Sequence, residues 1–233
     1  MSEPTLVFAV RHGETAWNVD TRIQGQLNVG LNAKGRWQAA RAAAALAGEG
    51  LQHVYSSDLA RAHDTALAIA GASGLPVQTD RGLRERGFGR FEGRTWAEIE
   101  THFPAESARW RARDPAFAPE GGETLRQFYE RAVAAAARLA GRHPGETIAL
   151  VAHGGVMDCL YRAAARIELG ATRTWQLGNT AVNRLLYTPE GFTLVGWSDT
   201  SHLDGAEHDE FSDGSFDQTH SATPATDRVG HAA

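Results

Sequence analysis

A three-layer α/β/α sandwich with a mostly parallel central sheet is the fold the sequence predicts. Two nearly unbroken apolar runs, Leu6 to Val10 and Thr147 to Ala152, have the character of strands buried on both faces. Helix-like segments alternate with the strand-like ones, the pattern of a parallel sheet covered on both sides. With 233 residues, 42% of them apolar, the chain is long enough to close one large core.

The elements follow in order. After the first strand, Asn32 is placed to cap a helix from Ala33 to about Ala47, ended by Gly48 and Gly50. A short strand at His53 to Tyr55 precedes a helix capped by Ser57 that runs to about Ala70. Thr95 and Glu98 have the spacing of a capping box for a third helix. A longer, alanine-rich helix spans Glu123 to about Ala140. The strand Thr147 to Ala152 is stopped by His153, Gly154 and Gly155, and a helix from Val156 to Ile167 follows. Asn183 to Tyr187 and Phe192 to Trp197 flank Pro189, Glu190 and Gly191 as a hairpin.

Composition divides the chain into a body, residues 1–203, and an acidic polar tail, residues 204–233, which is expected to stay mobile. From Asp204 onward there are seven acidic residues and one arginine, so the net charge of −5 leaves the body near +1. Without a broad basic face, a nucleic-acid partner loses its electrostatic footprint. The apolar stretch at the amino end is too short for a signal peptide or a membrane span, so no membrane association is expected. The one cysteine, Cys159, cannot form an internal disulfide and sits in the apolar pattern of Val156, Met157 and Leu160, as a small buried hydrophobe would. These features suit a cytoplasmic protein. In the tail, His208, Asp209 and Glu210 match no metal-site spacing.

The chemistry is expected where strands end. In an open parallel sheet, ligands bind at the carboxyl ends of the strands. Arg11, His12 and Gly13 end one strand, His153 another, and Ser56 to Arg61 follows a third into a helix. If the three strands are parallel neighbours, two guanidiniums, two imidazoles and a helix amino terminus converge, and guanidinium matches phosphate oxygens in bidentate fashion. A small phosphorylated metabolite is the expected ligand. His12, kept neutral by repulsion from the two arginines, is then a competent covalent nucleophile, while Arg11, Arg61 and His153 neutralise the transferring phosphoryl group. Glu85, within Leu83 to Gly93, is the best-placed acid for the leaving oxygen, with Glu14, Asp58 and Glu92 as competitors. The proposed chemistry needs neither metal nor cofactor. Arg84, Arg86, Arg90 and Arg94 either meet a second acidic group of the substrate or form a solvated loop face, and Trp17, Trp37, Trp96 and Trp110 are read as packing residues.

These residues resemble the histidine phosphatase, or phosphoglycerate mutase-like, superfamily. The resemblance rests on Arg11-His12-Gly13-Glu14-Thr15 with Asn18, on Ser56 to Arg61, on Glu85 in its arginine-rich segment, and on His153-Gly154-Gly155. It covers about Leu6 to Leu203, with four motifs in order. It implies that His12 is phosphorylated, that Arg11, Arg61 and His153 hold the phosphoryl group, and that Glu85 donates and accepts the proton. It further implies substrate contacts from Gly13, Thr15, Asn18, Gln24, Gly25 and Gly154. Two departures from the mutase pattern, Gly155 in place of Asn and Phe88 in place of Tyr, together with a compact interval from Trp96 to Leu150, favour the broad-specificity phosphatase branch over cofactor-dependent phosphoglycerate mutase. Asn179-Thr180 and Trp197 to Leu203 point the same way. A catalytically silent phospho-ligand binder is the third reading. The substrate's identity and the quaternary state, a homodimer included, are left open by the sequence, and the outer wall of the pocket is assigned to the loop after Asn18 and the segment from Thr95 to Glu123.

Overall fold

Side chains that alternate across the central strands decide how the layers assemble. In the computed structural model, which describes residues 3–204, strand β1 (Thr5–Arg11) sends Val7 and Ala9 to one face and Phe8 and Val10 to the other, all fully buried. Strand β4 (Thr147–Ala152) divides likewise, with Ile148, Leu150 and Ala152 on the first face and Ala149 and Val151 on the second. Helices α6 (Leu125–Ala140) and α7 (Gly154–Ala165) cover the first face through Phe128, Leu139, Met157 and Leu160. Helices α2 (Ala33–Leu46) and α3 (Ala60–Ser73) cover the second through Leu46, Ala66 and Ile69. Two apolar faces per strand therefore require a helical layer on each side.

The sheet has six strands in the order β3 (Val77–Thr79), β2 (His53–Ser56), β4, β1, β5 (Val182–Thr188), β6 (Gly191–Asp199). The first four are mutually parallel. The β5–β6 hairpin, turning through Gly191 at φ 122°, adds antiparallel to β1. The sequence-derived sandwich and its mostly parallel sheet are what is observed.

Several elements depart from expectation. Helix α3 starts at Ala60, because the Ser57 hydroxyl accepts from the Leu59 N–H (3.3 Å) before the helix begins, and Ala60 N–H donates to Asn28 Oδ1 (2.7 Å). Helix α6 is capped by Thr124, whose hydroxyl pairs with the Gln127 N–H while Gln127 reaches back to the Thr124 N–H. Helix α7 begins at Gly154, two residues early, with His153 as its extended cap. Three short elements were not expected: α1 (Ala16–Val19), β3, and α5 (Pro104–Arg111), which follows the expected α4 (Trp96–His102) after a one-residue break. Each is too short or too polar to show a period. Helices α4 and α5 carry a separate apolar cluster around Phe91, Ile99 and Phe117, with Trp96 and Trp110 packed against it as read from the sequence. Trp37 is instead 37% exposed. Apart from Asp204, the acidic tail and its His208, Asp209 and Glu210 lie outside the described residues. No helix among the described residues is long and apolar enough to cross a membrane.

Gly13 and Gly35 bring the end of β1 against the start of α2. A Cβ on Gly35 would run into the Glu14 carbonyl, and one on Gly13 into the Gly35 carbonyl. Gly71, inside α3, faces open space. Gly35→Ala is expected to lower stability by about 1–3 kcal/mol through overpacking, and Gly71→Ala to raise it by about 0.5–1 kcal/mol through helix propensity. Urea unfolding midpoints at unchanged slope test both.

Candidate active site

The ladder between β1 and β4 places the two histidines. Arg11 pairs with Ala152 in register, and the His12 N–H donates to the Ala152 carbonyl (2.9 Å), so His12 and His153 leave adjacent strands together. Their ring centroids are 5.3 Å apart. Gly13 and Thr15 then shape the chain. The Gly13 N–H donates to Thr65 Oγ1 (3.0 Å), and Thr15 caps α1 in a reciprocal pair with Asn18.

A cavity of about 170 Å³ opens at this edge, walled by Arg11 and His12, Asn18, the segment Arg22 to Gly25, Arg61, Glu85, Phe88 and Gly154. The convergence expected of Arg11, His12, Arg61 and Glu85 is present, and Asn18, Gln24, Gly25 and Gly154 join them. His153 is fully buried beside His12 rather than in the wall, and Gly13 and Thr15 stand behind it as supports. Arg22 and Ile23 belong to the loop after Asn18, which the sequence assigned to the pocket's outer wall without singling out either residue. No residue from Thr95 to Glu123 lines the cavity. That segment acts at one remove, through Trp110 stacked on Phe88 (centroids 4.7 Å apart).

His12 Nδ1 lies 2.7 Å from the Gly13 carbonyl oxygen. A carbonyl only accepts, so Nδ1 carries the proton and Nε2 keeps its lone pair. Burial holds the His12 imidazole well below its usual titration range, and the charges of Arg61 and then Arg11 add to this. Repulsion by the arginines, the cause expected from sequence, is thus the second contribution. His153 is likewise held neutral, by burial first and then by the charge of Arg61. Neither of its ring nitrogens has a hydrogen-bond partner.

Arg61 is 1% exposed and is aimed by the loop between α1 and α2, donating to the carbonyls of Leu27 (2.9 Å) and Gly25 (2.7 Å). Its Nε has no partner. Burial brings its pKa down to about 10, which leaves it cationic at neutral pH. Arg11 donates to the Leu177 carbonyl. At the amino terminus of α3 the first N–H is taken by Asn28 Oδ1, and the guanidiniums of Arg11 and Arg61 bring positive charge to the cavity wall.

Among the described residues, Glu85 is the one carboxylate in the cavity wall. Its Oε1 accepts from the Arg86 N–H (2.8 Å) and its Oε2 from the Gly155 N–H at the start of α7 (3.0 Å). A Cβ on residue 155 would collide with Oε1, so glycine is what lets the carboxylate sit there. The competing carboxylates are engaged elsewhere: Glu14 with Asn32 and Lys34, Asp58 with Arg84, and Glu92 with the N–H groups of Gln26 and Phe88. The arginine run is tied up as well. Arg84 grips Asp58 through two 2.6 Å bonds, Arg86 is buried on the carbonyls of Glu123 and Phe117, Arg90 pairs with Glu106 and Glu120, and Arg94 donates to the Arg90 carbonyl. None of the four lines the cavity; Arg86 is buried on protein carbonyls, whereas Arg90 is exposed and ion-paired at the surface. Cys159 is buried, its thiol pushed well up by desolvation, and it takes no part.

The chain matches the histidine phosphatase superfamily (branch 1) over residues 7–200. It is 43% identical over 202 residues to phosphoglycerate mutase-like protein 4 of Arabidopsis thaliana, covering 85% of this chain and 86% of that protein. It is 38% identical over 205 residues to a metal-independent phosphoserine phosphatase of the same plant, covering 87% of this chain and 84% of that one. The solved structure of Bacillus stearothermophilus YhfR superimposes with a TM-score of 0.80 at 32% identity, over 86% of this chain and 100% of that one.

The two neutral imidazoles make folding sensitive to pH. Unfolded histidines take up a proton near pH 6.5, whereas His12 and His153 in the folded protein do so only well below it. Their contribution to stability is complete above about pH 6.5 and is lost as the pH falls, by up to about 1.4 kcal/mol per pH unit for each ring. Urea unfolding at pH 7.5, 6.5 and 5.5 in phosphate-free buffer should show the decline, and His153→Gln should shrink its slope by about half.

Proposed function

This chain belongs to the histidine phosphatase superfamily, and from that membership we propose how its residues divide the work of phosphomonoester hydrolysis through a phosphohistidine. His12 Nε2 attacks phosphorus and the P–O bond to the leaving group breaks. Glu85, protonated at that moment, gives its proton to the departing oxygen. Glu85 then takes a proton from water as the water oxygen attacks the phosphohistidine, releasing inorganic phosphate and returning His12 to its neutral form. Arg11 and Arg61 bear the charge on the phosphoryl oxygens. The one protonated ring nitrogen of neutral His153 and Arg61 Nε are the donors left for it.

The single observation that carries this reading is the pairing inside one cavity of a neutral imidazole, its proton fixed on Nδ1, with one carboxylate held by two backbone donors. No step requires a metal ion. The small volume, the guanidinium of Arg22, which lines the wall while also donating to the Gly93 carbonyl and pairing with Glu98, and the buried, unpartnered Gln24 Oε1 suit a compact substrate with a second anionic group and a hydrogen-bond donor near its phosphate. Phosphorylated three-carbon acids and amino acids are the class to test first, in keeping with the names of the relatives. We propose a cytoplasmic location, in keeping with a single cysteine that cannot form an internal disulfide.

A phosphomonoester panel in EDTA, run beside a bisphosphate-primed mutase assay, checks the proposal. Hydrolysis is expected to exceed isomerisation, with acid-labile label on His12 and none in His12→Ala. Primed isomerisation exceeding hydrolysis would replace the phosphatase reading with a mutase. Gly155→Ala, which displaces the Glu85 carboxylate, should lower kcat by roughly 100-fold with the circular dichroism spectrum unchanged.

A further inference from the structure

At the opposite edge of the sheet, where β2 and β4 begin, stands a second cluster that the chemistry above does not use. His53 opens β2, and His143 and Glu146 form the turn between α6 and β4. The two imidazoles stack with centroids 3.8 Å apart, and both aim a nitrogen at the same oxygen: His53 Nε2 lies 3.0 Å and His143 Nδ1 2.7 Å from Glu146 Oε2. All three donor atoms lie within 4.8 Å of one another. Donors around a tetrahedral zinc ion are about 3.3 Å apart, so small side-chain shifts suffice. We propose that His53, His143 and Glu146 form a binding site for a zinc-class divalent cation, with solvent completing its shell.

Two features set this cluster apart from an ordinary surface ion pair. The far nitrogen of His143, Nε2, lies 2.8 Å from the hydroxyl of Tyr55, a residue only 4% exposed. A phenol both accepts and donates, so it serves the ring with the proton on Nδ1 when the site is empty and on Nε2 when Nδ1 ligates a metal. The backbone is also fixed in advance. Thr5 Oγ1 donates to the His143 carbonyl (2.8 Å), Glu146 N–H donates to the same carbonyl (3.0 Å), and Leu6 N–H donates to the Glu146 carbonyl (2.9 Å). Two imidazoles and one carboxylate select a borderline metal such as zinc over magnesium or calcium, which prefer oxygen alone. The spacing His143-x-x-Glu146 is visible in the sequence, but His53 lies far away along the chain and only the β2–β4 pairing, His53 opposite Ile148, brings it in. The site sits a strand's length from His12 and serves stability rather than phosphoryl transfer.

The test uses the full chain, stripped with EDTA and dialysed, then titrated with zinc chloride alone in calorimetric and thermal unfolding experiments. At zinc 100-fold above its Kd, the unfolding midpoint should rise by roughly 5–10 °C. Cobalt in place of zinc should show the visible bands of a tetrahedral site. The double variant His53→Gln, Glu146→Gln should lose one equivalent of zinc and the shift, which separates this site from the chain's other histidines. Tyr55→Phe, which keeps the ring in the core, should weaken binding by roughly 10-fold. An absence of any midpoint shift in the wild-type chain at millimolar zinc, or an equal shift and stoichiometry in the double variant, would overturn the proposal.

Discussion

Parallel pairing of β1 with β4 is the constraint on which the rest depends. Once Arg11 stands opposite Ala152, the next residue of each strand must emerge at the same edge, and both are histidines. The ladder continues through the His12 N–H and, on the other side, through the Thr180 N–H bonded to the Arg11 carbonyl (3.0 Å). The Asn179 side chain adds a 2.8 Å bond to the His12 carbonyl. The nucleophile is therefore held by main-chain geometry on both sides, and a one-residue slip would turn each of these side chains to the opposite face.

Burial then sets the charge state. An imidazole removed from water beside two guanidiniums sheds its proton, so the pocket is a pair of cations around two neutral rings rather than four positive groups. Leaving Arg61 Nε and both His153 nitrogens unpartnered costs about 1–3 kcal/mol per group. At the donors among them, Arg61 Nε and the protonated nitrogen of His153, a ligand's oxygens would relieve that cost.

The acid side is built separately and depends on α7. Gly155 offers its N–H to Glu85 and, having no side chain, leaves room for the carboxylate. Arg86, the next residue, is buried on carbonyls of Glu123 and Phe117 and faces the rings of Phe88 and Trp110, which ties the acid's segment to the α4–α5 cluster. The glycine that separates this chain from the mutase pattern is thus a steric condition for the observed placement of Glu85. Motifs distant in sequence meet here through a single hydrogen bond.

What the amino-acid sequence determined by itself was whatever short-range chemistry can encode. The apolar runs Leu6 to Val10 and Thr147 to Ala152 declared buried strands, Asn32 and Thr95 declared helix starts, and the polar residues at the strand ends declared a phosphate-binding edge. Glu85 could be picked as the acid only by its segment, since Glu14, Asp58 and Glu92 have the same chemistry and equally close neighbours. The tertiary structure decided among them by giving three of the four other partners. It also decided which arginines face the cavity, anchored Arg61 on two carbonyls, moved His153 behind the wall, and joined His53 to His143 and Glu146. All of these turn on contacts between residues tens of positions apart, whose distances are set by strand register and helix packing and leave no local periodicity to read.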